Sequence, residues 1–410
     1  MSDAVTWLGR TTRTPLRKGL FIALCLFPIL GNAISRLARH GWWLNDFDAV
    51  ACGAHHLAQG VSPYGLHPVC AGLRPAAFVY APQVGLAFAP LVEGLGFGDA
   101  RLAWRAVLVP ALAFLGWFAV LRVMPRAPFL PRLLVLSAMT GSVVACGNIG
   151  LVLHAIIIAA ALATGRSRWP FIVAVAMAAL VKPVFLTYLV VFLLEDRPLW
   201  ARVRTTAMAA AVGLAGVGII FATSGAMSTA WHAAMDAVVI RQQPGIGFFA
   251  FMSLIGLPGT SSFAMALYGT YAVVLTAAGL CLARDFDAGE RVVLGIGLAQ
   301  LLNPRLMDYD LPALAPAMIL IVMQARSVNA RTFAWIGWLF TGVLIAGLAL
   351  SILDIKIIQR ALVAVFVFIL IVFAVAAARL RLLDHIAVIT RRKPGPGSLK
   401  SVVPGTEPEG

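Results

Sequence analysis

Apolar runs too long and too continuous for a soluble core dominate this chain. No charged residue occurs between Ala361 and Ala378, and a comparable run extends from Gly19 to Ser35. A bilayer accommodates such runs, because a spanning helix needs about 20 mostly apolar residues and satisfies its backbone polar groups internally. Of 410 residues, 61% are hydrophobic and 12% charged, against roughly 45–50% and about 25% in soluble domains. A transmembrane barrel would need short alternating segments instead. The expected fold class is therefore all-α, a polytopic membrane helix bundle.

Reading apolar runs between charged or Pro/Gly-rich breaks predicts about 12 spans, near 19–38, 77–95, 102–121, 133–146, 148–165, 170–193, 205–223, 263–282, 290–303, 310–324, 332–352 and 361–380. Those at 133–146, 290–303 and 310–324 are short, as expected of tilted partners or half-helices lining a cavity. Strict alternation with a cytoplasmic N-terminus leaves more of the 32 Lys and Arg inside than outside, as the positive-inside rule asks. It also leaves Arg122, Arg126 and Arg132 outside, against the rule. The domain plan is a cytoplasmic segment 1–18, a transmembrane unit 19–380 and a basic flexible cytoplasmic tail 381–410. Two connections, 39–76 and 224–262, are too long for turns and fall on the extracytoplasmic side. Their Trp, Phe, His and Pro content argues for order. No internal repeat is evident.

The net charge of +15 sits in connections and tail, so its first meaning is topological and no nucleic-acid partner is expected. The basic residues Arg10, Arg13, Arg17 and Lys18 precede a first helix expected to stay in the membrane, with no evident cleavage site. The cysteines show no metal spacing and no metal is expected. Cys52 and Cys70 share the first long loop, where they are either free thiols or, outside the cytoplasm, a disulfide.

That loop opens Trp42-Trp43-Leu44-Asn45-Asp46-Phe47-Asp48, two aromatics suited to a membrane interface followed by two acids. Phe47, Val50, Ala51, Ala54, Leu57 and Ala58 recur at helical spacing, with Asp48, Cys52, His55 and Gln59 on another face. This predicts a short amphipathic helix lying on the membrane and ended by Gly60. Asn45 is a candidate N-cap and Asp48 a candidate capping partner. Asp46 has only a generic helix-dipole contact as its structural explanation, so it is also a candidate catalytic base. Elsewhere, Lys182-Pro183 interrupts the apolar span 170–193, where an ionisable group is either functional, or snorkels or pairs with a carbonyl that the proline frees. Asn303-Pro304-Arg305 and Asp308-Tyr309-Asp310 form a polar hinge, in which Arg305 either binds phosphate or pairs with Asp308 or Asp310. Arg241 follows Trp231, Ala234 and Val238, residues compatible with a second interfacial helix. His154 reads as a helix-packing hydrogen-bonder.

Taken in order, Asp46-Phe47, Gly60-Val61-Ser62-Pro63-Tyr64, Phe78-Val79-Tyr80-Ala81-Pro82 with Pro90, Gly147-Asn148-Ile149-Gly150, Lys182-Pro183, and Asn303-Pro304 with Tyr309-Asp310-Leu311 resemble the polyprenol-phosphate-dependent glycosyltransferases of GT-C type. The family in particular is glycosyltransferase family 87, whose members include polyprenol-phosphate-mannose-dependent alpha-mannosyltransferases. The resemblance runs over roughly residues 19–380. It implies a GT-C-like bundle, an aspartate base in the first extracytoplasmic loop at the position of Asp46, and a sugar donor carried on a polyprenyl phosphate, with no cofactor. The chain departs from the pattern in having Asn148 where Gln is common and in its second acid, Asp48.

The leading expectation is thus an inverting membrane hexosyltransferase acting on the extracytoplasmic face of the cell membrane, with a lipid or glycan acceptor. Asp46 is the base and Asp48 the secondary candidate. Tyr64, Tyr80, Lys182, Arg241 and Arg305 are the substrate-binding candidates, the three cations serving the donor phosphate. A single inverting displacement needs one base, because phosphate leaves without a proton. A secondary transporter or lipid flippase is the rival class. An inactive scaffold of the same fold is the third.

Overall fold

The computed structural model describes residues 14–38, 43–122, 132–133, 145–324 and 357–391. These are helical with no strand among them. The expected spans at 133–146 and 332–352 lie almost wholly or wholly outside the described residues, as do Arg126 and the tail beyond 391. Four described helices are long and apolar enough to cross a membrane. In the most apolar windows of Leu199–Thr223 and Ser262–Ala283 only 17% and 22% of residues are buried inside the protein. Val212, Leu214, Ile219 and Val273 point outward, the surface a lipid-facing helix needs and an aqueous one avoids.

The helices are α1 (Pro15–Ala38), α2 (Asn45–Ala58), α3 (Pro82–Trp117, extended by a π-turn to Arg122), α4 (Ile149–Leu162), α5 (Trp169–Val181), α6 (Val190–Leu193, after a 3-10 turn Pro183–Leu189) and α7 (Leu199–Thr223). They continue as α8 (Ser228–Ala234), α9 (Phe248–Leu254), α10 (Ser262–Ala283), α11 (Ala288–Leu301), α12 (Leu311–Gln324) and α13 (Ile357–Arg391). Local sequence sets several starts: Asn148 accepts from Gly150 N at 2.7 Å at the head of α4, and Asp287 with Glu290 forms a capping box on α11. The last helix runs to Arg391, past the expected boundary at 380.

Three expected spans, 77–95, 102–121 and 170–193, turn out to make up two hairpins. Within α3, Gly96 takes φ 72°, ψ 165°, a conformation open essentially to glycine. Phe88 and Trp104 stand with ring centroids 5.7 Å apart, whereas an unbroken helix would separate them by about 24 Å. The chain therefore doubles back at Gly96. Gln83 bonds Thr223 and the Ile220 carbonyl, and just past the turn Arg101 reaches Asp48 and Trp104 Nε1 reaches the Gly147 carbonyl. Both ends of the first arm thus lie at the same end of the bundle, so the segment expected to span at 77–95 does not cross it.

The second reversal is at Lys182-Pro183. Phe171 and Phe192 meet edge to face at 5.2 Å, and Arg168 forms an ion pair with Glu195. A continuous helix would hold the two rings about 30 Å apart. Lys182 is extended (φ −142°, ψ 105°), and Pro183 cannot donate to continue the helix. The predicted span 170–193 is therefore two arms with Lys182 at the tip.

These reversals overturn strict alternation. It would set the Gly147-Asn148 connection at the end opposite the first loop, whereas Leu44 N and Asp46 N donate to the Ala145 and Cys146 carbonyls at 2.7 and 2.9 Å. The opposite end of the bundle gathers Arg168, Arg197, Arg291 and Arg381 around Glu195, Asp196 and Asp285.

The amphipathic helix expected in the first loop is present as α2, stopped at Gly60 (φ 73°). Lying on the membrane was too weak a description, for Asp48 and Cys52 are buried along with Phe47, Val50 and Ala54. Phe47 stacks on Trp104 at 6.0 Å, so the helix packs into the α3 hairpin. Cys52 and Cys70 form a disulfide, with His56 Nε2 3.7 Å from Cys70 Sγ and both sulfurs already bonded. The bridge closes a separation of 18 residues, so its loss should cost about 3 kcal/mol in the chain-entropy picture. Cys52→Ser with Cys70→Ser is expected to unfold in detergent several degrees below wild type. An unchanged midpoint, with intact mass confirming the bridge in the wild type, would count against this.

Candidate active site

Asp46 sits in the first turn of α2, two residues after Leu44, the one non-glycine among the described residues with a positive φ. Leu44 before it has φ 62°, a left-handed conformation costing about 1–2 kcal/mol. Opposite, Gly147 has φ 67°, and a Cβ there would fall 3.1 Å from the Leu44 Cα. Only glycine lets the two backbones approach, and that approach carries Asp46 to Asn148.

Asn148 joins the two strongest candidates. Its Nδ2 donates to Asp46 Oδ2 at 2.6 Å, and its Oδ1 accepts from Lys182 Nζ at 2.7 Å and from Gly150 N at 2.7 Å. Two donors aimed at one oxygen fix which way the amide points. Asp46 keeps its second oxygen outside this bridge. Burial pushes the Asp46 carboxyl above the ordinary carboxylate value, while the Asn148 hydrogen bond and the Lys182 and Arg305 charges pull it down and Asp308 pushes it up.

Lys182 lies 5.0 Å from the Tyr309 ring centre and 5.6 Å from that of Tyr80, so two aromatic faces flank the ammonium. Neither snorkelling nor a proline-freed carbonyl accounts for it. Tyr64 supports Tyr80 from behind, its hydroxyl donating to the Tyr80 carbonyl at 2.9 Å. Beyond them opens a cavity of about 250 Å³ whose lining is largely apolar, with Val184, Phe185, Trp231, Met235, Val239 and Phe249, and also takes in Tyr80, His154, Lys182, Gln300, Asn303, Arg305, Tyr309 and Asp310; Asp46 and Asn148 stand behind Lys182 rather than in the lining.

The sequence-derived candidates thus divide. Asp46, Tyr80, Lys182 and Arg305 converge, and Tyr64 braces them. Arg305 Nε donates to the Gln243 carbonyl at 2.9 Å. Its expected competitor Asp310 is bound by His154 at 2.8 Å, as befits the hydrogen-bonding role read for that histidine. Arg241 does not join the group: it is exposed and pairs with Asp236 on the same helical segment. Asp48 is not a capping residue and Asn45 is not the N-cap, since the helix starts at Asn45 behind Leu44 with no side-chain cap. Instead the Asp48 carboxylate is fully buried, with Arg101 Nη2 at 2.5 Å and Arg74 N at 3.2 Å. Both its oxygens are committed to holding the loop together, which removes it as a base. Asn148 and Tyr309 were visible only as parts of motifs; the signal that would have singled out Asn148 is its place directly before an apolar helix, beside a glycine that must have positive φ.

Neither the protein-family models nor the curated proteins include a match to this chain.

Proposed function

We propose that this protein is an integral membrane glycosyltransferase that moves a hexose such as mannose from a polyprenyl-phosphate donor to a lipid or glycan acceptor at the extracytoplasmic face. The observation that carries the reading is the bridge from Asp46 through Asn148 to Lys182, which itself lines a largely apolar cavity together with Arg305. A largely apolar cavity with two cations in its lining suits a lipid-borne phosphate.

In this mechanism Asp46 takes the proton of an acceptor hydroxyl as that oxygen attacks the anomeric carbon. The bond from that carbon to the phosphate oxygen breaks, and the departing polyprenyl phosphate keeps the electron pair. Lys182 and Arg305 balance its charge. Inversion follows from the single displacement. The orientation is supported by the arginines gathered at the opposite end of the bundle, which the positive-inside rule assigns to the cytoplasm. The Cys52–Cys70 disulfide supports it too, since such bonds persist outside the cytoplasm.

The second reading, a transporter or flippase, is favoured by one observation, the buried His154–Asp310 pair, which resembles a proton-coupling site. The purified protein in lipid nanodiscs, given radiolabelled polyprenyl-phosphate mannose and a membrane-lipid extract, is expected to form labelled product. Absence of transfer from every polyprenyl donor tried, together with lipid translocation in proteoliposomes, would move the second reading ahead.

A base must be ionised to act, so kcat/KM should fall as the medium is acidified through the Asp46 ionisation. Because burial raises that ionisation, the acid limb is expected above the ordinary carboxylate range. Asn148→Ala removes a hydrogen bond that lowers it and should move the limb further up. A limb that stays put in Asn148→Ala would detach Asp46 from the pH dependence.

A further inference from the structure

One buried polar cluster has no part in the proton or charge movements above. His154, on α4, is 3% exposed and spans two partners: Nδ1 lies 2.6 Å from the Tyr188 hydroxyl and Nε2 2.8 Å from Asp310 Oδ1. An ionised carboxylate only accepts, so Nε2 is the donor to Asp310. The ring also packs edge-on against Phe185, with centroids 5.0 Å apart.

The other oxygen of Asp310 reaches into the turn that carries Arg305. Oδ2 accepts from Asn303 Nδ2 at 3.2 Å and from Met307 N at 2.9 Å. Asn303 Oδ1 in turn accepts from Arg305 N at 3.0 Å. The carboxylate therefore clasps the turn on both sides of Arg305. From the other face Ile246 N and Phe249 N donate to the Leu306 and Pro304 carbonyls at 2.7 and 2.8 Å. Asn303, Pro304, Arg305 and Met307 of this turn line the cavity beside Lys182, and Arg305 is the cation among them, its Nε also held by the Gln243 carbonyl at 2.9 Å.

We infer that His154 and Asp310 are positioning residues for the donor phosphate: His154 fixes Asp310, Asp310 fixes the Asn303–Met307 turn, and the turn sets the guanidinium of Arg305 against the phosphate. This rests on the reading of the cavity as a polyprenyl-phosphate site. It also gives the buried pair a role other than proton coupling. Held groups bind phosphate more tightly than free ones because less freedom is lost on binding.

The test is direct binding of geranylgeranyl phosphate, with geranylgeraniol as the phosphate-free control, to detergent-solubilised protein by isothermal titration. The wild type is expected to prefer the phosphate. His154→Phe keeps the ring packing and loses both hydrogen bonds; it should weaken phosphate binding about tenfold and leave alcohol binding unchanged. Arg305→Gln should do likewise, and the double variant should be no weaker than Arg305→Gln alone, because His154 acts through that residue. Tyr188→Phe leaves the bond from His154 to Asp310 and should keep most of the preference. If His154→Phe does not fold, Asp310→Asn, which preserves shape, should show the same selective loss. Equal weakening of phosphate and alcohol, or additive losses in the double variant, would overturn the role given to His154. A wild type without phosphate preference would overturn the donor reading itself, and this role with it.

Discussion

Asp46→Asn is expected to lower the rate of sugar transfer about 10²–10⁴-fold, the range general bases contribute, in a protein that stays folded. Asparagine keeps an oxygen where Asn148 Nδ2 donates, so the bridge to Lys182 survives while the proton acceptor is lost. The folded state holds the Asp46 proton more tightly than the unfolded chain does, because burial raises its ionisation. The stability that Asp46 contributes is therefore complete below the unfolded carboxylate value and lost as pH rises through the folded one. At neutral pH the variant should unfold at or above the wild-type midpoint, with the difference shrinking on acidification. Transfer assays and thermal unfolding on one preparation check both limbs, and a variant with wild-type turnover would remove Asp46 from the chemistry.

Arg101→Ala should act on stability, although the acid it serves lies two residues from Asp46. It strands the Asp48 carboxylate, which has no exposure, on a single backbone hydrogen bond from Arg74. Removing one partner of a buried pair costs about 3–5 kcal/mol; Arg101 is 22% exposed, which favours the lower end. Yield and unfolding midpoint should both fall sharply. Arg101→Leu combined with Asp48→Asn should recover part of the loss, since neither charge then remains buried. Recovery of nothing would mean that Arg101 serves some other partner.

The contrast between these neighbouring acids marks how far sequence reasoning reaches. Helical periodicity identified α2, and the hydropathy runs located α1, α4, α7, α10, α11 and α12 within a few residues. Asp46, Tyr80, Lys182 and Arg305 were each recognisable, the first from the lack of a structural task and the others from motifs or from the cost of charge in a membrane. What joins them was not legible. Asn148 makes its bridge only because Leu44 and Gly147 adopt left-handed conformations facing each other, and no local pattern announces such a pairing.

The topology was misread for a related reason. Hydropathy measures how apolar a stretch is and says nothing of whether it runs straight or doubles back. The arm at 77–95 is as apolar as a crossing helix and was counted as one, and the run 170–193 stays apolar on both sides of Lys182-Pro183, so a hairpin there was counted as a single crossing. Each such error reverses the side of everything downstream. Asp48 was misassigned because a first-turn acid has a ready local explanation, whereas its partners Arg74 and Arg101 come from distant sequence.

The Lys182 hairpin also bears on how the chain is made. Its first arm has 13 residues and reaches about 20 Å, short of a hydrocarbon layer of about 30 Å. On leaving the ribosome, neither arm is long enough to hold itself across a bilayer. The tip, with its ammonium group, must wait for neighbours: α4 supplies the Asn148 oxygen that receives it, and α7, emerging later, encloses the apolar flanks. Insertion of this region is then cooperative rather than helix by helix, and Lys182 reaches its place only once the surrounding wall exists.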